Sequence, residues 1–246
     1  MPLIRSVIHM LWMAVTCIPY TLAILVVRLL GASPRTRYRI ARAWLKLSVD
    51  SAGWFAGVHY RVQGRENLPT DPQQGVVLLV KHQSTYETFL MPAIMPRPLA
   101  YVFKRELLRV PFFGWSIGSL DMIYIDRSDG SRAFHKVVEQ GKRLLAQGTW
   151  VIMFPEGTRV PRGEKGVYKS GATRLAIMAG VPVVPIAVTS AKCWPRKAFI
   201  KRPGMVDVSV GPQIPTTGRK HDELMREAEA WIESEMQRLD PEAYAR

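Results

Sequence analysis

The sequence predicts an α/β protein: a mixed, largely parallel sheet flanked by helices, behind a membrane-attached helical segment at the N-terminus. Three observations predict it. From residue 60 onward, short apolar, β-branched runs alternate with helical patterns, the order that builds βαβ units. Hydrophobic residues make up 48% of a chain of 246, enough for one well-cored domain and too short for two. Residues 6–27, SVIHMLWMAVTCIPYTLAILVV, contain no Asp, Glu, Lys or Arg.

As a helix, that N-terminal run would be roughly 33 Å long, about the thickness of a bilayer core. A secretory signal has a shorter apolar region and a small-x-small cleavage site, which Leu30-Gly31-Ala32 matches poorly. Arg5 precedes the run, whereas Arg28, Arg35, Arg37, Arg39, Arg42 and Lys46 follow it. By the positive-inside rule, the bulk of the chain lies on the cytoplasmic face of the inner (cell) membrane. Pro19 interrupts the run, and a second amphipathic stretch, ARAWLKLSVDSAGWFAGVHY, comes soon after it. Two arrangements stay open: a spanning helix, or a two-helix hairpin turning at residues 31–34 and lying in one leaflet. The division is residues 1–58 as anchor and residues 59–246 as α/β domain.

Within the domain, strands are expected at 76–80, 99–103, 122–125, 150–154, 183–188 and 206–210. Helices are expected at 86–95, 131–147, 170–179 and 222–239. The last one sets Leu224, Ala228, Trp231, Glu235 and Leu239 along one stripe, with a charged outer face. No repeat and no Gly-, Ser- or Pro-rich linker divides it.

A formal charge of +14 points to an anionic partner: a membrane surface, a phosphorylated substrate or nucleic acid. No zinc-finger or RRM-type pattern is present, and the basic residues are dispersed or beside the apolar run, so nucleic acid is not expected. The two cysteines, Cys17 and Cys193, make neither a disulfide framework nor a zinc site. His59, His135 and His221 lie far apart without ligand spacing, so no metal is expected.

Four stretches could carry chemistry. In KHQSTYETF, residues 81–89, His82 and Glu87 are five apart, about 140° around an ideal helix, so they meet only if the chain bends. A strand ending near Lys81, with Ser84 or Thr85 as N-cap of the next helix, supplies the bend. A carboxylate accepting the proton of one ring nitrogen fixes the tautomer, so the other can take a proton from an alcohol. Alone, the spacing favours a capped turn with a hydrogen-bonded histidine. In FPEGTR, residues 154–159, a strand ends in a turn suited to phosphate: glycine opens backbone N–H groups, threonine adds a hydroxyl and arginine a bidentate fork. A charged surface turn reads equally well. Arg127, ending the strand of SLDMIYIDR, suits a phosphate or a pairing with Asp126 or Asp129. VPVVPIAV, residues 181–188, carries two prolines and reads either as an edge strand or as a lining.

Taken in order, H-x4-acid, IDR, FPEGTR and VPVVPIAV resemble the glycerolipid acyltransferase family, the 1-acylglycerol-3-phosphate acyltransferases. KRELLRVPFFGW, residues 104–115, is similar to the segment that family carries between its first two motifs, and the resemblance runs from about residue 60 to 215. It implies transfer of a fatty acyl group from acyl-CoA or acyl carrier protein, as co-substrate and with no other cofactor, to the sn-2 hydroxyl of a lysophospholipid acceptor. The product would be phosphatidic acid, for phospholipid biosynthesis in contact with membrane lipids. His82 would be the base and Glu87 its orienting partner, with no acyl-enzyme, since no Ser or Cys sits in a nucleophile elbow. The resemblance assigns acceptor binding to Arg127, Glu156, Gly157, Thr158 and Arg159, with Lys104 and Arg105 as further phosphate ligands. Glu156, itself negative, would orient Arg159 or accept a glycerol hydroxyl. Val181, Pro182, Val184 and Pro185 would help form the acyl or donor site. The family's first motif usually carries Asp where this chain has Glu87, about 1.5 Å longer in reach. That leaves a different lysolipid acceptor, such as a lyso-aminolipid, as an alternative. A non-enzymatic binder of anionic lipid explains the charge and the anchor, but not the ordered motifs.

Overall fold

The structure is a computed structural model and describes residues 1–125 and 131–245. Helices α1 (Pro2–Leu29) and α2 (Pro34–Ser51) come first. Strand β1 (Val58–Gln63), β2 (Val77–Val80), α3 (Tyr86–Ile94), β3 (Leu99–Lys104), α4 (Phe113–Ile117) and β4 (Ile123–Ile125) follow. The chain continues through α5 (Ser131–Ala146), β5 (Trp150–Met153), α6 (Gly171–Ala179), β6 (Val183–Val188), β7 (Gly204–Val210) and α7 (His221–Leu239).

The strands form one seven-stranded sheet in the order β1-β7-β6-β2-β5-β3-β4. Every pairing is parallel except β6 with β7, so the mixed, largely parallel sheet expected from the sequence is what forms. β1 was not foreseen: VHYRVQ, an edge strand paired only with β7, is polar at alternate positions because one face alone is covered, with Val58, Tyr60 and Val62 turned to the core. At the centre, β2 is apolar throughout because both its faces are covered. Leu78 and Val80 join the core facing α2 and α3, while Val77 and Leu79 join the core facing α5, α6 and α7. Removing one such leucine side chain from water stabilises the fold by roughly 1.5–3 kcal/mol.

The run at 181–188 corrects the sequence reading. It is neither an edge nor a lining: β6 pairs with β2 on one side and β7 on the other, and all six of its residues are buried. The proline is tolerated because the ladder bulges there. Val183 faces Ile214 and Ile186 faces Val210, so residues 184–185 stand opposite residues 211–213, two against three. Pro185 turns its carbonyl to the N–H of Gly211 at 2.9 Å, so its missing N–H falls on that bulged side.

α1 and α2 make an antiparallel pair around the turn at Gly31, held by His9 Nε2 against the Ser48 carbonyl (3.0 Å) and by Trp44 Nε1 donating to Thr16 Oγ1 (3.2 Å). α2 is fastened to the domain. Arg42 donates to the carbonyls of Pro92, Ala93 and Met95, satisfying the last turn of α3, and Tyr38 Oη accepts the N–H of Leu99. Arg42 therefore works as a helix cap besides adding to the basic flank. α1 is long and apolar enough to cross a membrane, and leaves Leu3, Ile4, Leu11, Val15, Leu22 and Val26 exposed along it.

On α7 the buried face also differs from the expected stripe. Leu224 and Ala228 lie on it, continued by Ile232 and Met236, whereas Trp231, Glu235 and Leu239 are half-buried. Glu233 is buried with that apolar face, a position that the periodicity gives to a core residue.

Candidate active site

Parallel pairing brings the chemistry together. β2 lies between β5 and β6, and β3 pairs with β5, so the carboxyl ends of β2, β5 and β3 emerge along one sheet edge. Lys81-His82 follow β2, FPEGTR follows β5 and Lys104 ends β3. The first two segments are tied directly, since Val160 donates its N–H to the carbonyl of His82 at 2.8 Å.

His82 and Glu87 meet as the spacing requires. The chain bends after β2, and Glu87, in the first turn of α3, folds back so that its Oε1 lies 2.9 Å from His82 Nδ1. The same oxygen accepts the backbone N–H groups of Gln83 (2.8 Å) and Ser84 (2.7 Å), so the third group pointing at it is the Nδ1 proton. This leaves Nε2 as the proton-accepting nitrogen of the neutral ring. Thr85 holds the N-cap position without a side-chain cap bond, and Ser84 Oγ accepts the N–H of Tyr86 (3.0 Å). The capping role expected of Ser84 or Thr85 thus falls to Ser84, while Glu87 ties the N–H groups of the bend before the helix. Phe154 stacks on the imidazole, centroids 3.9 Å apart and planes 16° from parallel, so the ring cannot tilt away. The Glu87 side chain is fully buried and that of His82 is 14% exposed.

His82 opens onto a cavity of about 980 Å³. Gly157, Thr158, Arg159, Lys169 and Lys104 line it near His82's two segments, and Cys17, Ile24, Trp44, Phe89, Phe113 and Leu120 are among its apolar lining. Gly157, at φ +65°, makes the turn, and a Cβ there would stand 3.3 Å from Lys169 Nζ, so glycine also lets that ammonium close on the turn. Arg159 is aimed by Thr85, whose Oγ1 accepts from Nη1 at 2.6 Å. A positive, part-apolar cavity beside a proton-accepting nitrogen can hold an anionic head and an apolar tail, with a hydroxyl at the base.

Not every expected residue belongs to this cavity. Arg127 lies outside the described residues. Arg105 is exposed, begins the 3-10 turn after β3 and does not line the cavity. Glu156 neither orients Arg159 nor faces the cavity: its carboxylate points behind the site, accepting the N–H of His82 (3.3 Å) beside Lys81 Nζ (3.5 Å). Burial pushes its carboxyl up from the ordinary 4.5, with Lys81 opposing the shift. Val181, Pro182, Val184 and Pro185 do not line the cavity either, because β6 is an interior strand and Val184 is sealed in the core facing α2 and α3. The apolar lining comes instead largely from α1, α2, α3 and the segment 103–120. Sequence reading missed Lys169 and the stacking of Phe154; a lysine just before a helix, after a glycine-rich turn, was the available signal for the first. Among the described residues, no group of three or more His, Cys, Asp or Glu side chains could hold a metal ion.

The chain is similar to several known proteins. A family model described as Acyltransferase matches residues 59–189. The 1-acyl-sn-glycerol-3-phosphate acyltransferase of Pseudomonas aeruginosa is 42% identical over 211 residues, 84% of this chain and 80% of that protein. The human 1-acyl-sn-glycerol-3-phosphate acyltransferase alpha is 32% identical over 183 residues, and the match spans 73% of this chain but under two thirds, 63%, of that protein. The crystal structure of the 1-acyl-sn-glycerophosphate (LPA) acyltransferase PlsC from Thermotoga maritima superposes with a TM-score of 0.79, covering 100% of this chain and 99% of that one. At 24% identity, that likeness speaks to the fold. The chain belongs to the acyltransferase family.

Proposed function

We propose that this enzyme transfers a fatty acyl group from an acyl thioester to the sn-2 hydroxyl of 1-acyl-sn-glycerol 3-phosphate, producing phosphatidic acid. The observation that carries the reading is the 2.9 Å contact of His82 Nδ1 with Glu87 Oε1 at a cavity that is cationic in one part and apolar in another. Names of relatives at 42% and 32% identity give the acceptor.

In this mechanism His82 Nε2 takes the hydroxyl proton as the oxygen attacks the thioester carbonyl. Glu87 holds the ring and stabilises the imidazolium that forms. The tetrahedral intermediate collapses with cleavage of the C–S bond, and the proton held by His82 passes to the departing sulfur, releasing a thiol. Arg159, Lys169 and Lys104, with the turn at Gly157 and Thr158, bind the acceptor phosphate, and the apolar lining takes an acyl chain. Acyl-CoA and acyl carrier protein are both donors of suitable chemistry, and no further cofactor is required.

α1 attaches the enzyme to the membrane from which it draws lipid, and its basic flank sets the domain on the cytoplasmic face of the inner membrane. The test is a purified-protein assay over a panel of lysolipids, lyso-aminolipids included, with both donors and read by product mass. Phosphatidic acid is the expected main product. Preferential acylation of another lysolipid would reassign the acceptor, and no acylation of any would refute the proposal.

A further inference from the structure

Behind the cavity, on its protein side, lies a cluster of charge that the proposed chemistry does not use. Lys81 is fully buried, and its Nζ has an acceptor in each of three directions: Glu233 Oε1 at 2.6 Å, the Glu164 carbonyl at 3.3 Å and Glu156 Oε1 at 3.5 Å. Glu233 comes from α7, far along the chain. Its Oε1 also accepts the hydroxyl of Tyr168 at 2.7 Å, and Lys81 Nζ sits 5.8 Å from the Tyr168 ring centroid. Burial and the nearby carboxylates push the Tyr168 hydroxyl well above its usual range, so it stays a donor.

The arrangement has a simple consequence in sequence. Lys81 immediately precedes His82, and Tyr168 immediately precedes Lys169. One carboxylate oxygen on α7 thereby grips the residue behind the histidine and the residue behind a cation lining the cavity. The far side of the network reaches the same place, since Glu156 accepts the backbone N–H of His82. Lys169 is also tied by its N–H to the carbonyl of Pro155 at 2.9 Å. Buried ion pairs are poor general stabilisers, and apolar residues of similar volume often replace them without loss. What the network adds is fixed distance between two chain segments that share no strand pairing.

We propose that Lys81, Glu233 and Tyr168 are positioning residues for acyl transfer, with Glu233 holding His82 and Lys169 at a set separation. The proposal rests on reading His82 as the base. Its two arms act on different steps. The Lys81 arm sets the histidine against the reacting hydroxyl and so governs kcat. The Tyr168 arm sets Lys169 against the acceptor phosphate and so governs KM.

The experiment uses the full chain in detergent or bilayer, with lysophosphatidic acid and acyl-CoA or acyl carrier protein, whichever supports the wild-type reaction. It compares wild type, His82→Ala, Tyr168→Phe, Lys81→Met and Lys81→Met/Glu233→Gln for kcat, KM and Tm. Lys81→Met strands two carboxylates and is expected to lower Tm. The double variant removes one of the two stranded carboxylates, which returns the cluster to its wild-type net charge. It is expected to regain most of that Tm, yet to keep kcat about 10- to 100-fold below wild type, the loss that follows a displaced catalytic group. Tyr168→Phe is expected to raise KM for the acceptor several-fold with kcat within about twofold, a split in keeping with loss of uniform binding. Wild-type kcat in a double variant with restored Tm, or wild-type KM in Tyr168→Phe, would overturn the proposal by leaving the network a purely structural role. If the double variant stays as unstable as Lys81→Met, the separable positioning role is overturned as well. An active His82→Ala, or an inactive wild type, would instead count against the base assignment.

Discussion

Oε1 of Glu87 lies 2.9 Å from Nδ1 of His82 and is held there by two backbone N–H groups, those of Gln83 and Ser84. The carboxylate therefore has two duties on one atom: it holds the bend that leads into α3 and it fixes the tautomer of the histidine. Glu87→Gln keeps a carbonyl oxygen for the backbone but loses the charge that stabilises an imidazolium. Turnover is expected to fall by about 10²- to 10⁴-fold, within the span of general-base catalysis, while circular dichroism and Tm change little. Near-normal turnover would remove Glu87 from the pair. Glu87→Asp shortens the reach by one carbon, and retained turnover there would show that the bend tolerates either acid.

Arg159 lines the cavity and is held by Thr85. If it binds the acceptor phosphate, Arg159→Ala is expected to raise KM for lysophosphatidic acid roughly 10- to 100-fold, as loss of a charged hydrogen bond does. Weak acylation of a monoacylglycerol, which has no phosphate, should be unaffected. An equal loss with both acceptors would place Arg159 outside phosphate recognition.

Glu156 gives a stability test with a definite sign. Its folded-state pKa lies above the ordinary 4.5, chiefly through burial, with Lys81 working against the shift. A carboxyl of raised pKa binds its proton more readily when folded, so the stability it contributes is present below pH 4.5 and lost as pH rises through the folded value. Measured by Tm, wild type minus Glu156→Gln should become steadily less favourable as pH climbs from 4.5. A difference that stays flat or grows with pH would contradict this.

Ala41 of α2 lines the cavity. Ala41→Phe places a ring in the apolar part, so competition among dodecanoyl to octadecanoyl thioesters is expected to shift toward shorter chains. An unchanged chain-length profile would show that the acyl chain does not pass α2.

Much of this site was readable before its geometry was known, for particular reasons. His82 and Glu87 follow an apolar run and carry N-cap residues between them, so strand, bend and helix were all encoded locally. FPEGTR was equally local. What escaped reading depended on distant partners. Glu156 looked like part of the phosphate turn, yet it points backward because a buried lysine, Lys81, waits behind the strand. Glu233 lay off the stripe expected for the last helix, although it sits beside Ile232 on the buried side. A lysine ending GVVLLV was the signal available: burial of that charge demands a carboxylate from somewhere. The prolines of residues 181–188 read as an edge strand or a lining, and a bulge against residues 211–213 admitted one of them to the interior.

The most direct test is to compare wild type with His82→Ala, following free thiol release and phosphatidic acid by mass in the same reaction. Wild type is expected to release one thiol per phosphatidic acid formed. His82→Ala is expected to lower both by at least about 10²-fold, the lower end of what a general base supplies, at unchanged Tm. Phosphatidic acid made by folded His82→Ala at a rate comparable to wild type would contradict the role of His82 as base.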